Sequence, residues 1–154
     1  MKYIFNNDFL DFILELNYCN VQYILVGGYA VILHGYSRST GDLDIWTNPT
    51  EQNYLHLMKA FTRFGLPTTS ISKADFIDTE KYDVYTFGLP PICIEILTQV
   101  KGLQFDNAFT NALWLQVSDS VQVRTLALSD LILSKKSAGR YKDYDDIEHL
   151  SHDL

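Results

Sequence analysis

Cysteine is scarce. Cys19 and Cys93 are the only two in 154 residues, too few for a disulfide framework. No CxxC or Cys/His cluster occurs, which argues against a zinc site. Cys93 sits in an apolar, strand-like run and is expected to pack in the core. Long hydrophobic runs are missing too, so nothing reaches the length that crosses a bilayer. The amino-terminal stretch "MKYIFNNDFLDF" is interrupted by Asp8 and Asp11, where a secretory signal would be uninterrupted and apolar. A cytoplasmic protein with no membrane partner is the expectation. Positive charge is in short supply, with 12 Lys and Arg against 19 Asp and Glu and a net charge of −7. That balance argues against non-specific nucleic-acid binding by the whole surface.

What is present is a globular composition. Hydrophobic residues make up 47% and charged residues 20%, enough apolar surface for a packed core and too little charge for a disordered chain. The length suits one domain, taken as residues 1–154. The scarce cations are clustered. "KKSAGRYK", from Lys135 to Lys142, holds four of them and no acid; with −7 in all and +4 here, the rest carries −11. A local basic patch on an acidic protein suits a small anionic ligand.

Hydrophobic periodicity divides the chain. "FNNDFLDFILELNY" has helical spacing, with Asn6 or Asn7 as cap. "VQYILV" (Val21–Val26) reads as a strand ended by Gly27-Gly28. "YAVILHGY" reads as a short helix and "GDLDIWT" (Gly41–Thr47) as a second strand. "TEQNYLHLMKAFTRFG" is a helix capped by Thr50, with an apolar face of Tyr54, Leu57, Met58, Phe61 and Phe64, ended by Gly65. "YDVYTFG" and "ICIEILT" read as two strands joined by "LPP". "LWLQV" and "VQVRTL" form a hairpin about Ser118-Asp119-Ser120. "LSDLILSKKSAG" and "YKDYDDIEHL" are two helices broken near Gly139. This order predicts an α/β (α+β) fold, a mixed β-sheet covered by helices.

Chemistry concentrates in a few places. Asp42 and Asp44 are two apart on a strand, so they face one side about 6.5–7 Å apart along the chain. Like charges that close raise each other's pKa, and burial raises it further. A divalent cation removes that penalty, and Mg²⁺ prefers hard oxygen ligands and phosphate. Two such carboxylates suit a pair of ions roughly 3.5–4 Å apart, as in two-metal phosphoryl chemistry. An Asp-x-Asp alone is a weak signal; apolar Leu43, Ile45 and Trp46 around it make a turn or an exposed edge a poorer reading.

Glu95 is the lone acid in "ICIEILT". It is either a strand end reaching solvent or an arginine, or a third carboxylate beside the aspartate pair; with that pair on another strand, the second reading is better. Gly27-Gly28 permits either an ordinary tight turn or the close approach of a phosphate to a helix start. Arg38 and Thr40, just before the aspartates, could hold a phosphate or shape the loop. Lys135, Arg140 and Lys142 could neutralise a triphosphate or the backbone of an acceptor. Asp143 and Asp146 share a helical face, and could equally belong to a solvated helix with internal salt bridges. His34 is read as structural. Tyr36 and Tyr141 are the tyrosines nearest in sequence for stacking on a base.

Together these residues resemble the nucleotidyltransferase superfamily of the DNA polymerase β type. A Gly-Gly turn after a strand, an Asp-x-Asp on the next strand and a third carboxylate on a later one are here Gly27-Gly28, Asp42-Leu43-Asp44 and Glu95. Within the superfamily, "RSTGDLD" and the carboxy-terminal Lys135, Ala138, Gly139, Arg140, Lys142, Asp143 and Asp146 resemble the AbiEii-type toxins and minor nucleotidyltransferases of bacteria. The likeness covers residues 23–150. It departs from the common pattern at Gly28, where many members have serine, and at Glu95, where aspartate is common.

The resemblance implies a Mg²⁺-dependent enzyme, with two ions, that transfers a nucleoside monophosphate from ATP or another NTP to a hydroxyl. Asp42, Asp44 and Glu95 would be the metal ligands and, with Lys135, the catalytic set. Gly27, Gly28, Arg38, Thr40, Arg140, Lys142, Asp143 and Asp146 would bind the nucleotide. RNA, a protein or a small molecule would be the acceptor, and a toxin–antitoxin partner is implied. The alternative is a non-catalytic nucleotide- or protein-binding module on the same fold.

Overall fold

The computed structural model describes residues 5–80, 84–89 and 92–151. Tyr82 and Asp83 of the expected "YDVYTFG" strand, and both prolines of "LPP", lie outside the described residues.

Seven α-helices and six strands are described. Helix α1 (Asn7–Tyr18) begins where the Asn6 side chain accepts from the Phe9 amide at 2.8 Å, an N-cap bond that satisfies a free helix donor. It buries Phe9, Phe12, Ile13 and Leu16. Strand β1 (Tyr23–Val26) is buried throughout and is shorter than the expected run from Val21. It passes directly into α2 (Gly27–Leu33), so the two glycines form the first turn of this helix rather than preceding it. Strand β2 is Asp42–Thr47. Helix α3 (Glu51–Phe64) has Thr50 as its cap and left-handed Gly65 as its stop, as its sequence predicts.

A single 3-10 turn (Thr68–Ser70) and the short α4 (Lys73–Ile77) follow. Strands β3 (Val84–Leu89) and β4 (Ile92–Leu97) come next, then α5 (Phe105–Asn111). Strands β5 (Leu113–Gln116) and β6 (Gln122–Thr125) make the expected hairpin. Helices α6 (Leu128–Ala138) and α7 (Tyr141–Ser151) finish the chain on either side of Gly139. Helices α4 and α5 have no counterpart in the periodicity reading.

The sheet order is β3-β4-β2-β1-β6-β5. Strand β2 is central, antiparallel to β1 and parallel to β4, while β1 runs parallel to β6. This is the mixed α/β sheet expected from the sequence. Strand alternation sends Leu43 and Ile45 of β2, with Ile94 and Ile96 of β4, into a core against α1 and α3. Trp46 and the β1 residues Ile24 and Val26 share a second core with Phe105 of α5 and Leu131 of α6. Fully burying one such side chain is worth about 1.5–3 kcal/mol. With one face of β2 fixed by Leu43 and Ile45, Asp42 and Asp44 must face the α6 side, since a one-residue slip would bury both acids.

Candidate active site

The register puts three elements of the expected site in one row. Asp44 pairs with Val26 on one side and with Glu95 on the other. Val26 leads into Gly27, so Asp44 lies between the diglycine turn and the third acid. A cavity of about 660 Å³ opens over this row. Asp42, Asp44 and Glu95 line its floor, with Gly27 and Gly28 on one side. Arg38, Thr40, Lys135, Arg140, Lys142 and Asp143 also border it. Asp146 does not line it; its carboxylate stands behind, holding cations that do.

Asp44 is the most perturbed group here. Burial first, then hydrogen bonding with Glu95 and the charges of Glu95 and Asp42, push its carboxyl up to about 8, against a smaller pull from Lys135. One of its oxygens, Oδ1, is buried with no hydrogen-bond partner. Gly27 has φ +70°, and a Cβ there would run into the Asp44 carboxylate. A Cβ on Gly28 would run into the Thr40 hydroxyl. The glycines are therefore required by close approach as well as by the turn.

Opposite the acids is an ion network built on the buried Lys135, Asp143 and Asp146. Arg38 grips Asp146 with two nitrogens, Nε to Oδ1 at 2.9 Å and Nη2 to Oδ2 at 3.2 Å. Lys135 Nζ lies 3.0 Å from Asp146 Oδ2 and 3.4 Å from Asp143 Oδ1. Arg140 meets Asp143 through Nε at 2.7 Å, through Nη2 at 3.2 Å and through its own backbone N–H at 3.1 Å. Burial raises the Asp143 carboxyl, but the Arg140 hydrogen bonds and the charges of Lys135 and Arg140 outweigh it and hold it below its usual value. Three cations thus share two aspartates, and the surplus positive charge faces the acid row. Asp143 and Asp146 are buried, so the helix is solvated on its other faces but not on the one these two acids share.

A divalent cation fits part of this arrangement. An orphaned buried carboxylate oxygen, a raised acid and a hard all-oxygen donor set suit Mg²⁺. Among the described residues, however, no three His, Cys, Asp or Glu side chains stand together as a ready-made metal cluster. Asp44 and Glu95 meet in a side-chain hydrogen bond across the paired strands, and that contact helps to raise the Asp44 carboxyl.

Several residues differ from expectation or were missed. Tyr36 does not line the cavity; its ring stacks on His149 at 3.9 Å and its hydroxyl donates to Asp145. Tyr141 is 97% exposed and also outside the lining. His34 is structural, its Nε2 lying 2.7 Å from the Leu126 carbonyl oxygen. Gln99, Lys101 and Ser134 line the cavity without having been singled out. Ser134 precedes Lys135, and Lys101 is a cation just after the β4 acid strand; those adjacencies were the available signals. No described helix is long and apolar enough to cross a membrane.

Known proteins bear on this arrangement. The crystal structure of the lincosamide antibiotic adenylyltransferase LnuA, bound to lincomycin, matches with a TM-score of 0.58 at 14% identity, over 99% of this chain and 100% of that one. At that identity the likeness is one of fold. None of the curated proteins matches the chain. A family model described as "Nucleotidyltransferase of unknown function (DUF6036)" matches residues 9–151, a span that includes the diglycine turn, the acid row and the ion network, and the chain belongs to that nucleotidyltransferase family.

Proposed function

We propose that this protein is a Mg²⁺-dependent enzyme that transfers a nucleoside monophosphate from an NTP to a hydroxyl acceptor. The observation that carries the reading is Asp44: a half-buried carboxylate with an unpartnered oxygen, pressed against a glycine turn, beside Glu95 and facing a wall of cations. A buried acid left so poorly satisfied costs stability, and a cation and a polyphosphate relieve that cost together.

Asp42 and Asp44, with Glu95 after a side-chain rotation, would hold the metal, which supplies charge neutralisation at the transferring phosphate. The triphosphate would lie along Gly27-Gly28 and Thr40, near Lys135, Arg140 and Lys142. Asp143 and Asp146 hold Lys135, Arg140 and Arg38 in place for it. The acceptor oxygen bonds to the α-phosphorus while the bond to the β-phosphate oxygen breaks, and the electron pair leaves with pyrophosphate. The acceptor's proton passes to the Glu95 carboxylate. Fixed cations aimed at the developing charge lower the barrier without reorganising.

The closer likeness to the AbiEii-type toxins rests on "RSTGDLD" and the Lys135–Asp146 pattern, and a toxin–antitoxin role is proposed on those residues alone. The LnuA likeness supports adenylyl transfer to a small molecule as one form of the reaction.

The test incubates the protein with Mg²⁺, each labelled NTP and a mixture of cellular RNA, protein and small-molecule extract, beside Asp44→Ala. Label transfer that the variant loses is the expected result. Mg²⁺-dependent NTP binding with no acceptor ever labelled would instead identify a binding module.

A further inference from the structure

A second cavity, of about 750 Å³, adjoins the first. The two share a partition of Gln99, Val100 and Lys101. Trp46 lines the second one. It is two residues beyond Asp44 on β2, so it faces the same side of the sheet, about 7 Å further along. Trp46 is 2% exposed, and its indole Nε1–H has no acceptor among the described residues. Buried donors are nearly always paired, so an unpaired one in a residue that lines a cavity points to a ligand oxygen there, met after a small shift of the indole because Nε1 itself is shielded.

The cavities differ in charge. The first carries Arg38, Lys135, Arg140 and Lys142. The second has Lys101 and Asp106, which balance, and otherwise neutral groups such as Gln104 and Phe105. Lys101 stands on the shared partition, whereas Arg38, Lys135, Arg140 and Lys142 belong to the first cavity alone, so a polyphosphate finds its cluster of counter-charges there. The second suits a neutral molecule with hydrogen-bonding groups and an apolar edge, and its volume falls within the roughly 300–1,000 Å³ of small-molecule sites. An RNA end would bring phosphates to a wall that has no net charge to receive them.

The side of the sheet matters as well. Gly27 and Gly28 follow β1, on one side of β2. Glu95 is on β4, on the other side, and β4 runs straight on into the partition at Gln99–Lys101. A molecule in the second cavity therefore lies on the Glu95 side of the reaction centre, where the proton acceptor stands.

We propose that this second cavity binds the acceptor, a small neutral molecule carrying several hydroxyls, with one of its oxygens accepting from Trp46 Nε1–H. The proposal rests on the transfer reading above and adds the acceptor's class to it.

The chain has two tryptophans, Trp46 and Trp114, so ¹⁵N-labelled protein shows two indole N–H resonances, and Trp46→Phe assigns them. The labelled protein is titrated with a set of neutral cyclitols and mono- and disaccharides. Adenosine and an RNA hexanucleotide are titrated separately. The expected result is a saturable shift of the Trp46 resonance by one or more of the polyols, with the Trp114 resonance still. Calorimetry should show that polyol bound about tenfold more weakly by Trp46→Phe. Should that variant fold poorly, Asp106→Leu, at the exposed wall, is expected to weaken binding about fivefold.

No movement of the Trp46 resonance by any polyol overturns the proposal, as does movement by adenosine or the hexanucleotide alone. A polyol that binds but stays unlabelled while the protein labels RNA overturns the acceptor assignment. Polyol binding with no label passed to anything sinks the transfer reading instead and leaves the binding site standing.

Discussion

Asp44 has a folded-state pKa of about 8 in a place where an ordinary carboxylate titrates near 3.8, and burial is the largest cause. Its ionised form is therefore a liability in the metal-free protein. Asp44→Asn keeps the shape and removes the charge, so the metal-free variant should melt higher than the parent at pH 8 while label transfer falls at least about 100-fold. Scanning calorimetry beside the transfer assay reads both; a variant that melts lower at pH 8 would show that the carboxylate is satisfied after all. Gly27 makes the companion case. Gly27→Ala meets both left-handed strain, worth about 1–2 kcal/mol, and the Asp44 carboxylate itself. Gly65→Ala, at φ +101° with open space around it, meets the strain alone. Urea unfolding should rank Gly27→Ala as the more destabilised, and Mg²⁺ binding should weaken in that variant only.

The carboxy-terminal helices show how far local pattern reaches. Gly139 ends α6 in a left-handed conformation, and Asp143 and Asp146 fall on one face of α7, as their spacing requires. What spacing cannot give is the partner. Arg38 reaches Asp146 across 108 positions of chain, tying the loop before β2 to α7. Asp146→Asn leaves Arg38 without its buried counter-charge and Lys135 with one carboxylate instead of two, and breaking a buried pair of this kind costs about 3–5 kcal/mol. Asp145→Asn, which touches only the exposed bond from Tyr36 and an exposed 3.6 Å pairing with His149, should cost under about 1 kcal/mol. Equal losses in chemical denaturation would mean that the network does not hold the loop. Helices α1 and α3 were legible because side-chain caps and apolar periodicity agree in them, and the β5–β6 hairpin because Ser118-Asp119-Ser120 separates two apolar runs. Helices α4 and α5 were not: they are five and seven residues long and bury one and two residues, too few to register a period. The acid row was half legible. A period of two places Asp42 and Asp44 on one face, but that Glu95 lies level with Asp44 depends on β2 and β4 pairing in parallel, a long-range fact that no local pattern encodes.

The described residues pack an apolar core on each face of one sheet and leave an acid row on the α6 face that Lys135 offsets only in part, and this shapes the stability against pH. The unfolded chain releases the Asp44 proton near pH 4, whereas the folded chain keeps it until about pH 8. Between those values the folded state holds a proton that the unfolded state lacks, so stability falls as pH rises through this window, opposite to the usual salt-bridged carboxylate. Asp143 has the usual sign: its carboxyl is held down by Arg140 and Lys135, so its contribution is present above the normal range and is lost as pH falls below it. A ligand that binds only the folded state stabilises by an amount set by its concentration over its Kd, and on the proposed reading Mg²⁺ would have to displace the Asp44 proton. Added Mg²⁺ should therefore raise the melting temperature by several degrees at pH 8 and scarcely at pH 5, with close to one proton released per binding event at pH 7. Net charge of −7 also grows more negative through the acidic range and would mimic part of the decline, but a long-range effect of that kind responds equally to NaCl. Asp44→Asn separates the two, because it should flatten the decline between pH 6 and 8 and abolish the Mg²⁺ shift at matched ionic strength; a Mg²⁺ shift that persists in the variant places the cation somewhere other than the acid row.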